Sequence, residues 1–443
     1  NLLFQISIFF DNVLTYIGPI LFFWGFSKIF IEKSLKFQNA LSKVTGLLTE
    51  NLSVISERNI RRNASRIASI TFLLAIIIGY SVSSVGQISS QKDYTERLIK
   101  AYVGADVSVI VSSVENVTDV INAIRENIAG IERITVEYTG FSGQSPFPEI
   151  IKLVAIDPQE WILTAYYEDG WFKGFRIEDL PAMLTNNTII LDGRFSKYLQ
   201  AGDQISITLN GKDFNLTVIG FFGEESSSVT GLSLRQHIRM RQTLNSFVNL
   251  SIYECVNDTV SATPRILIDL KPGVDGEEAA EEIRKLEGVE WVVSVDEQIR
   301  FRDENILLSG ILNVMKLGVF FAALAASIGV SLVTLVTMQE RKKEITLFMV
   351  RGLSLKQVVA VLLTENLGVL LVALALGGIV GYLVDRGNVA AMNVMSTLII
   401  PRIIFPYDAI LTLAVIGGLL ASAAVIPVII MVLIYSSKMV WRT

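Results

Sequence analysis

The sequence holds one cysteine, Cys255, one histidine, His237, and ten prolines in 443 residues. A single cysteine excludes an internal disulfide and any site built from several thiolates. His237 stands in the arginine-rich stretch SLRQHIRMRQ with no nucleophile signature around it, and is read as a surface residue rather than a general base. No G-x-x-x-x-G-K-S/T stretch occurs, so nothing here can cradle a nucleotide's phosphates in the Walker manner. The absence of G-x-S-x-G and H-E-x-x-H removes two further hydrolytic chemistries. The chain is therefore not expected to be an enzyme, and no metal site is expected.

What the sequence has in quantity is apolar surface. It is 51% hydrophobic with a mean hydropathy of +0.50, too apolar for an ordinary soluble domain of this length. Runs long enough to cross a bilayer, about 20 residues each, occur at 6–30, 66–88, 306–337, 358–384 and 407–435, the first interrupted by Asp11 and Pro19. Between the second and third runs, residues 89–305 carry 34 acidic and 20 basic side chains, a net charge of −14, while the rest of the chain has a net charge of +9. Basic residues crowd 28–66, the stretch 338–359 and the C-terminal end. The positive-inside rule assigns all three to the cytoplasm. Residues 89–305 are then expected outside, as is the loop 387–406, and residue 1 is expected to start outside, within a longer protein.

The large outer block shows a repeated pattern. Residues 105–137 read as a strand (Val107, Val109, Val111), a helix with apolar positions Val117, Val120, Ile121, Ile124 and Ile128, then a second strand. Residues 265–297 read the same way, with Ala279, Ala280, Ile283 and Leu286 on the helix. Two such ferredoxin-like strand–helix–strand units at the ends of one block predict a single inserted α+β domain. Its middle, about 150–250, is expected to be a β-rich subdomain, with a hairpin at Asn210-Gly211. The fold class expected is a membrane protein: an α-helical transmembrane bundle of about five spans carrying that extracytoplasmic α+β domain.

The stretch MQERKKEITLFMVRGLSLKQVV, residues 338–359, lies between two apolar runs and is itself amphipathic. On a helix, Ile345, Phe348 and Met349 form an apolar stripe beside a basic one. Gly352 is placed to end that helix, and Ser354 to cap the next. Upstream, SERNIRRNASRIASITFLL places Arg58, Arg61, Arg62 and Arg66 on a basic surface helix that leads into a span. A loop that merely fixes topology needs the charge but not the stripe, the turn or the cap.

These residues carry a resemblance. Glu340, Arg341, Glu344, Ile345, Leu347, Gly352, Ser354 and Gln357, followed by Glu365 and the glycines Gly377, Gly378 and Gly381, resemble the FtsX/MacB-type ABC transporter permease family. So does the order of span, large outer domain and three further spans, over about residues 50–443. One departure is that Met349 stands where family members usually have Arg, the arginine here being Arg351. The resemblance implies a permease that does not hydrolyse ATP itself; ATP and magnesium would belong to a separate nucleotide-binding subunit. It implies that Ile345 to Leu353, with Phe348 and Arg351, form a coupling helix seated in a groove of that subunit.

On that reading residues 1–32 are a helix from a preceding unit, 33–65 a cytoplasmic linker and surface helix, 66–88 a span, 89–305 a MacB-like domain and 306–443 an FtsX-like domain with three spans. The chain would be the C-terminal half of a ten-span permease, its second unit supplied by the same longer chain or by a second copy. ATP-driven closure of the partner would move the outer domain, in export or extraction of lipid, lipoprotein or peptide. An extracytoplasmic partner protein is compatible with this; nucleic acid is not expected. The three glycines are expected to admit close helix packing, with Gly417 and Gly418 in the same role. Lys316 is expected near an outer membrane edge, and Glu365 is an intramembrane charge. The competing reading is a membrane receptor or scaffold whose outer domain binds a ligand without ATP.

Overall fold

The computed structural model describes residues 64–223, 245–393 and 399–440. The first expected span, the linker, Arg58, Arg61, Arg62 and His237 lie outside the described residues. The chain divides into two compact units, one formed by residues up to Asp93 with Gly310–Val394 and Pro401–Thr443, the other by Tyr94–Ser309 with Met395–Ile400.

The first unit is helical. Its elements are the first part of α1 (Ala64–Val103), most of α8 (Ile306–Glu340), the short α9 (Lys342–Val350), α10 (Leu355–Asn393) and α11 (Tyr407–Val440). Four segments, Ile70–Val103, Leu312–Glu340, Lys356–Ala390 and Tyr407–Ile434, are long and apolar enough to cross a membrane. They pack through Leu74, Ala75 and Ile78 of α1, Val319 and Ala323 of α8, Leu370 and Ala373 of α10, and Leu420 and Ala424 of α11. Ser331 Oγ donates to the carbonyl of Ala423 at 3.1 Å, a polar fastening between α8 and α11. The opposite faces stay apolar yet exposed, with Phe321, Ile328, Leu332, Val415 and Ile430 among them. A helix bundle in water would bury such residues; one in lipid has no reason to.

The sequence places the end of the first described span near residue 88, where hydropathy falls. The helix continues instead to Val103, 40 residues in all, or about 60 Å at 1.5 Å per residue. The polar stretch QKDYTERLIK contains good helix formers and no glycine or proline, so loss of hydropathy is not loss of helix. Gly104, in the left-handed region at φ +85°, ends it.

The second unit is built on one ten-stranded sheet. β1 (Val107–Val111), α2 (Val117–Asn127) and β2 (Ile131–Gly143) form the first predicted strand–helix–strand unit; β9 (Thr263–Leu270), α6 (Gly276–Ile283) and β10 (Val289–Ser294) form the second. They interleave in the order β10-β1-β9-β2, all antiparallel neighbours, so each unit's strands are parted by a strand of the other. The alternation Val107, Val109, Val111 and Ile266, Ile268 turns one sheet face toward Val120 and Ile124 of α2 and Ala280 and Ile283 of α6.

Between these units run β3 (Ile151–Ile156), α3 (Pro158–Thr164), β4 (Phe172–Lys173), α4 (Leu180–Met183), β5 (Thr188–Asp192), β6 (Gln204–Leu209), β7 (Lys212–Phe222), β8 (Ser246–Asn249) and α5 (Leu250–Glu254). The expected subdomain is not separate. β3 pairs with β2, and the sheet continues through β8, β5, β7 and β4. The β6–β7 hairpin turns at Asn210 (φ 45°) and Gly211 (φ 85°), the two positive φ values that a two-residue primed turn requires. A helix α7 (Val295–Glu304), capped by Ser294 Oγ on the Glu297 N–H, follows the last strand.

Candidate functional site

The stretch singled out in the sequence forms α9, nine residues between α8 and α10. Ile345 is 1% exposed, packed among Met338 of α8, Val358 and Leu362 of α10, and Val428, Met431 and Val432 of α11. Phe348, Met349 and Leu353 lean on the same cluster. The stripe expected to enter a partner's groove is therefore already occupied by the chain's own spans. A helix that connects two membrane helices must bury one face against them, and its most regular apolar stripe takes that task. The outward face carries Leu347, 52% exposed, and Val350, 74% exposed, flanked by exposed Lys342, Lys343, Thr346 and Arg351. Val350 is a residue the sequence pattern did not single out; its large exposure on a helix of this length marks it.

The turn after α9 is fully hydrogen-bonded. Gly352, at φ +92°, donates its N–H to the Met349 carbonyl at 3.0 Å, and Leu353 donates to the Phe348 carbonyl at 3.1 Å. This 5→2 and 6→1 pair is a Schellman closure, accompanied by its usual apolar contact, since Phe348 and Leu353 share one cluster. Ser354 then opens α10: its Oγ accepts from the Gln357 N–H at 3.3 Å, while Gln357 Oε1 accepts from the Ser354 N–H at 2.9 Å. Helix, turn and following span are thereby fixed as one piece.

A second feature is the seam between α1 and α10. A side chain's first carbon at Gly377 would lie 2.7 Å from the Ala75 carbonyl oxygen, and one at Gly381 2.6 Å from that of Gly79. Gly377 and Gly381 thus meet Ala75 and Gly79, two small-residue pairs at the same four-residue spacing. Gly378 faces open space, as do Gly417 and Gly418 among the described residues, so those three are not packing glycines here. Lys316 is exposed, five residues into its span. Glu365 and Arg66 lie on α10 and α1, their side chains outside the described ones. Glu340, Arg341 and Glu344 stand at and just before α9, outside the apolar cluster. Among the described residues no group of His, Cys, Asp and Glu could hold a metal.

Comparison with known proteins bears on both units. Residues 316–437 match the family described as FtsX-like permease C-terminal, and residues 67–286 the one described as MacB-like periplasmic core domain. The chain belongs to the FtsX/MacB-type ABC transporter permease family. The first match includes α9 and its turn. Among solved structures, the periplasmic region of MacB from Actinobacillus actinomycetemcomitans is 13% identical, with 46% of this chain and 94% of that chain covered at a TM-score of 0.29, a likeness too distant to bear on the fold. A search of curated proteins returned no match. This permease is a membrane protein with the inserted α+β domain its family carries.

Proposed function

We propose that this permease is driven through α9 by a separate ATP-hydrolysing subunit, and that the motion is delivered to the inserted domain rather than to a substrate path between the spans. The observation that carries the reading is the two-sidedness of α9. Its inner edge, Ile345, is locked among α8, α10 and α11, and its outer edge exposes Leu347 and Val350 between basic residues. A loop that only set topology would not need a Schellman turn and a capping box joining it rigidly to the next span.

The contact with the ATPase would be made by Leu347 and Val350, ringed by Lys343, Thr346 and Arg351, with Ile345 and Phe348 transmitting the push inward. The helices α1 and α8, which lead into and out of the inserted domain, would then move it. The charge asymmetry of the sequence supports an extracytoplasmic side for the inserted domain. The exposed apolar faces of α8 and α11 are where lipid and a second permease unit would lie. Export or extraction of a lipid, lipoprotein or peptide suits a pump of this kind.

The test is a mild-detergent pulldown of the tagged chain with its ATPase, parent against Leu347→Asp/Val350→Asp. Release of the ATPase by the double change supports the reading. Retention of the ATPase by the double variant would overturn the contact at Leu347 and Val350, and no ATPase with the parent would leave the receptor reading as the better one.

A further inference from the structure

The inserted unit takes in chain from two places, and the second was not legible in the sequence: the segment Met395–Ile400, between α10 and α11. Ile399 is 1% exposed and lies in a cluster with Trp161, Trp171, Phe172 and Leu180 of the inserted domain. A loop residue between two membrane helices has thus become part of that domain's aromatic core. The next residue is held by charge. Arg97 of α1, 9% exposed, donates from Nη2 to the Ile400 carbonyl at 2.7 Å. Its Nη1 lies 2.8 and 3.0 Å from the two carboxylate oxygens of Glu168. Tyr166 Oη donates to the same carboxylate at 2.5 Å. One guanidinium therefore ties three pieces of chain, using the fork geometry that lysine lacks.

The chain that follows is fastened to α1 as well. Arg402 pairs with Asp93 through two hydrogen bonds of 2.9 and 3.1 Å, and the Ile404 N–H donates to Ser90 Oγ at 3.1 Å. Ser90, Asp93 and Arg97 are spaced three and four apart, so they share one face of α1. Their partners Ile404, Arg402 and Ile400 are spaced by two, as alternate residues of an extended segment are. Asn393, the last of α10, and Ile399 are six positions apart, and Ile400 and Tyr407, the first of α11, are seven apart. At full extension these connections reach only about 20 and 24 Å.

Resting on the coupling reading above, we propose that Arg97 is a positioning residue that latches the α10–α11 connection to the inserted domain, so that α10 and α11 drive the domain directly alongside α1 and α8. α9 opens into α10 through a rigid turn, and the far end of α10 is tied to the domain through Ile399. Displacement at α9 then has a second outlet. Without the latch, α10 and α11 would move at the end of a slack loop.

The test uses the full chain with its ATPase in lipid nanodiscs, with two variants. Arg97→Lys keeps a charge for Glu168 but loses the second branch to Ile400. A six-residue Gly/Ser insertion between Ile400 and Pro401 leaves every latch side chain in place and adds slack. Hydrogen exchange reads the latch itself: slow exchange at Ile404 in the parent, and exchange across 399–404 raised by at least about tenfold in Arg97→Lys, is expected, because an unlatched segment opens locally. Fast exchange in the parent, or none gained in the variant, overturns the latch.

Spin labels at Glu290→Cys and Tyr407→Cys, on a Cys255→Ser background, read the coupling. A nucleotide-dependent distance change in the parent, lost in both variants while the ATPase rate is unchanged, supports the proposal. The same change persisting in both variants overturns it. A parent that hydrolyses ATP without any distance change overturns the coupling reading, and the exchange experiment still decides whether the latch exists.

Discussion

Ser354 and Gln357 exchange hydrogen bonds, each side chain accepting from the other's backbone N–H. Both bonds sit at the joint between α9 and α10 and restrain its angle. Loss of the Ser354 hydroxyl in Ser354→Ala removes one of the bonds at a cost of about 1 kcal/mol. The expected outcome is a permease that folds and binds its ATPase but shows a smaller nucleotide-dependent response, measured as the label distance change per ATP turnover. An unchanged response would mean the angle at the joint does not matter.

The two edges of α9 should separate by phenotype. Ile345→Ala empties a fully buried site among α8, α10 and α11, with a loss of about 2–5 kcal/mol seen as a lower Tm. Leu347→Asp and Val350→Asp act on exposed positions and should change Tm little, within about 0.5 kcal/mol. Only the outer pair should release the ATPase. If Ile345→Ala releases it at unchanged Tm, the assignment of the inner edge is wrong.

The glycines of α10 should also divide. Gly381→Leu and Gly377→Leu drive a side chain into the backbone of α1, with an expected cost of about 1–3 kcal/mol or more. Gly378→Ala points into open space and gains helix propensity, so it should be neutral or slightly stabilising. Thermal unfolding of the three purified variants in one detergent checks the order.

In the inserted domain, Glu149 is held below the ordinary glutamate range, first by its hydrogen bond from Lys197 and also by that from Tyr198, while Lys197 is raised by the same pairing. A lowered carboxyl contributes stability that is present above its unfolded pKa and lost as pH falls through the folded one. A raised lysine contributes stability that is present below its unfolded pKa and lost as pH rises through the folded one. The pair should therefore act between roughly pH 5 and 9, weakly because Lys197 is solvated. Lys197→Met should lower the Tm in that window, and the difference should fade as acid protonates the carboxyl in the folded state as well. A Tm shift that stays the same as the pH is lowered would point to lost packing on Tyr198 instead of lost charge.

Much of this architecture is written in local pattern. The strand–helix–strand units read correctly because Val107, Val109 and Val111 alternate with period two and Val117, Val120 and Ile124 recur with the helical period, and each pattern follows from one element's geometry. The turn at Gly352 and the cap at Ser354 read correctly because both depend on neighbours in sequence. The length of α1 did not, because hydropathy reports the solvent around a helix and not whether the helix continues.

What the sequence by itself determined is therefore the two strand–helix–strand units, the hairpin at Asn210-Gly211, the number of apolar helices among the described residues, and the place of the segment that became α9. What only tertiary structure decided is which face meets what. Ile345 and Leu347 are both apolar and two residues apart, yet one is buried by three helices from elsewhere in the chain and the other is left bare. Gly377 and Gly378 are adjacent, and only the first meets α1. Arg97 meets Ile400 across 303 positions of sequence. Period and propensity are properties of a few consecutive residues, whereas such contacts depend on the register of helices joined by hundreds of intervening residues, which is set only when the chain packs.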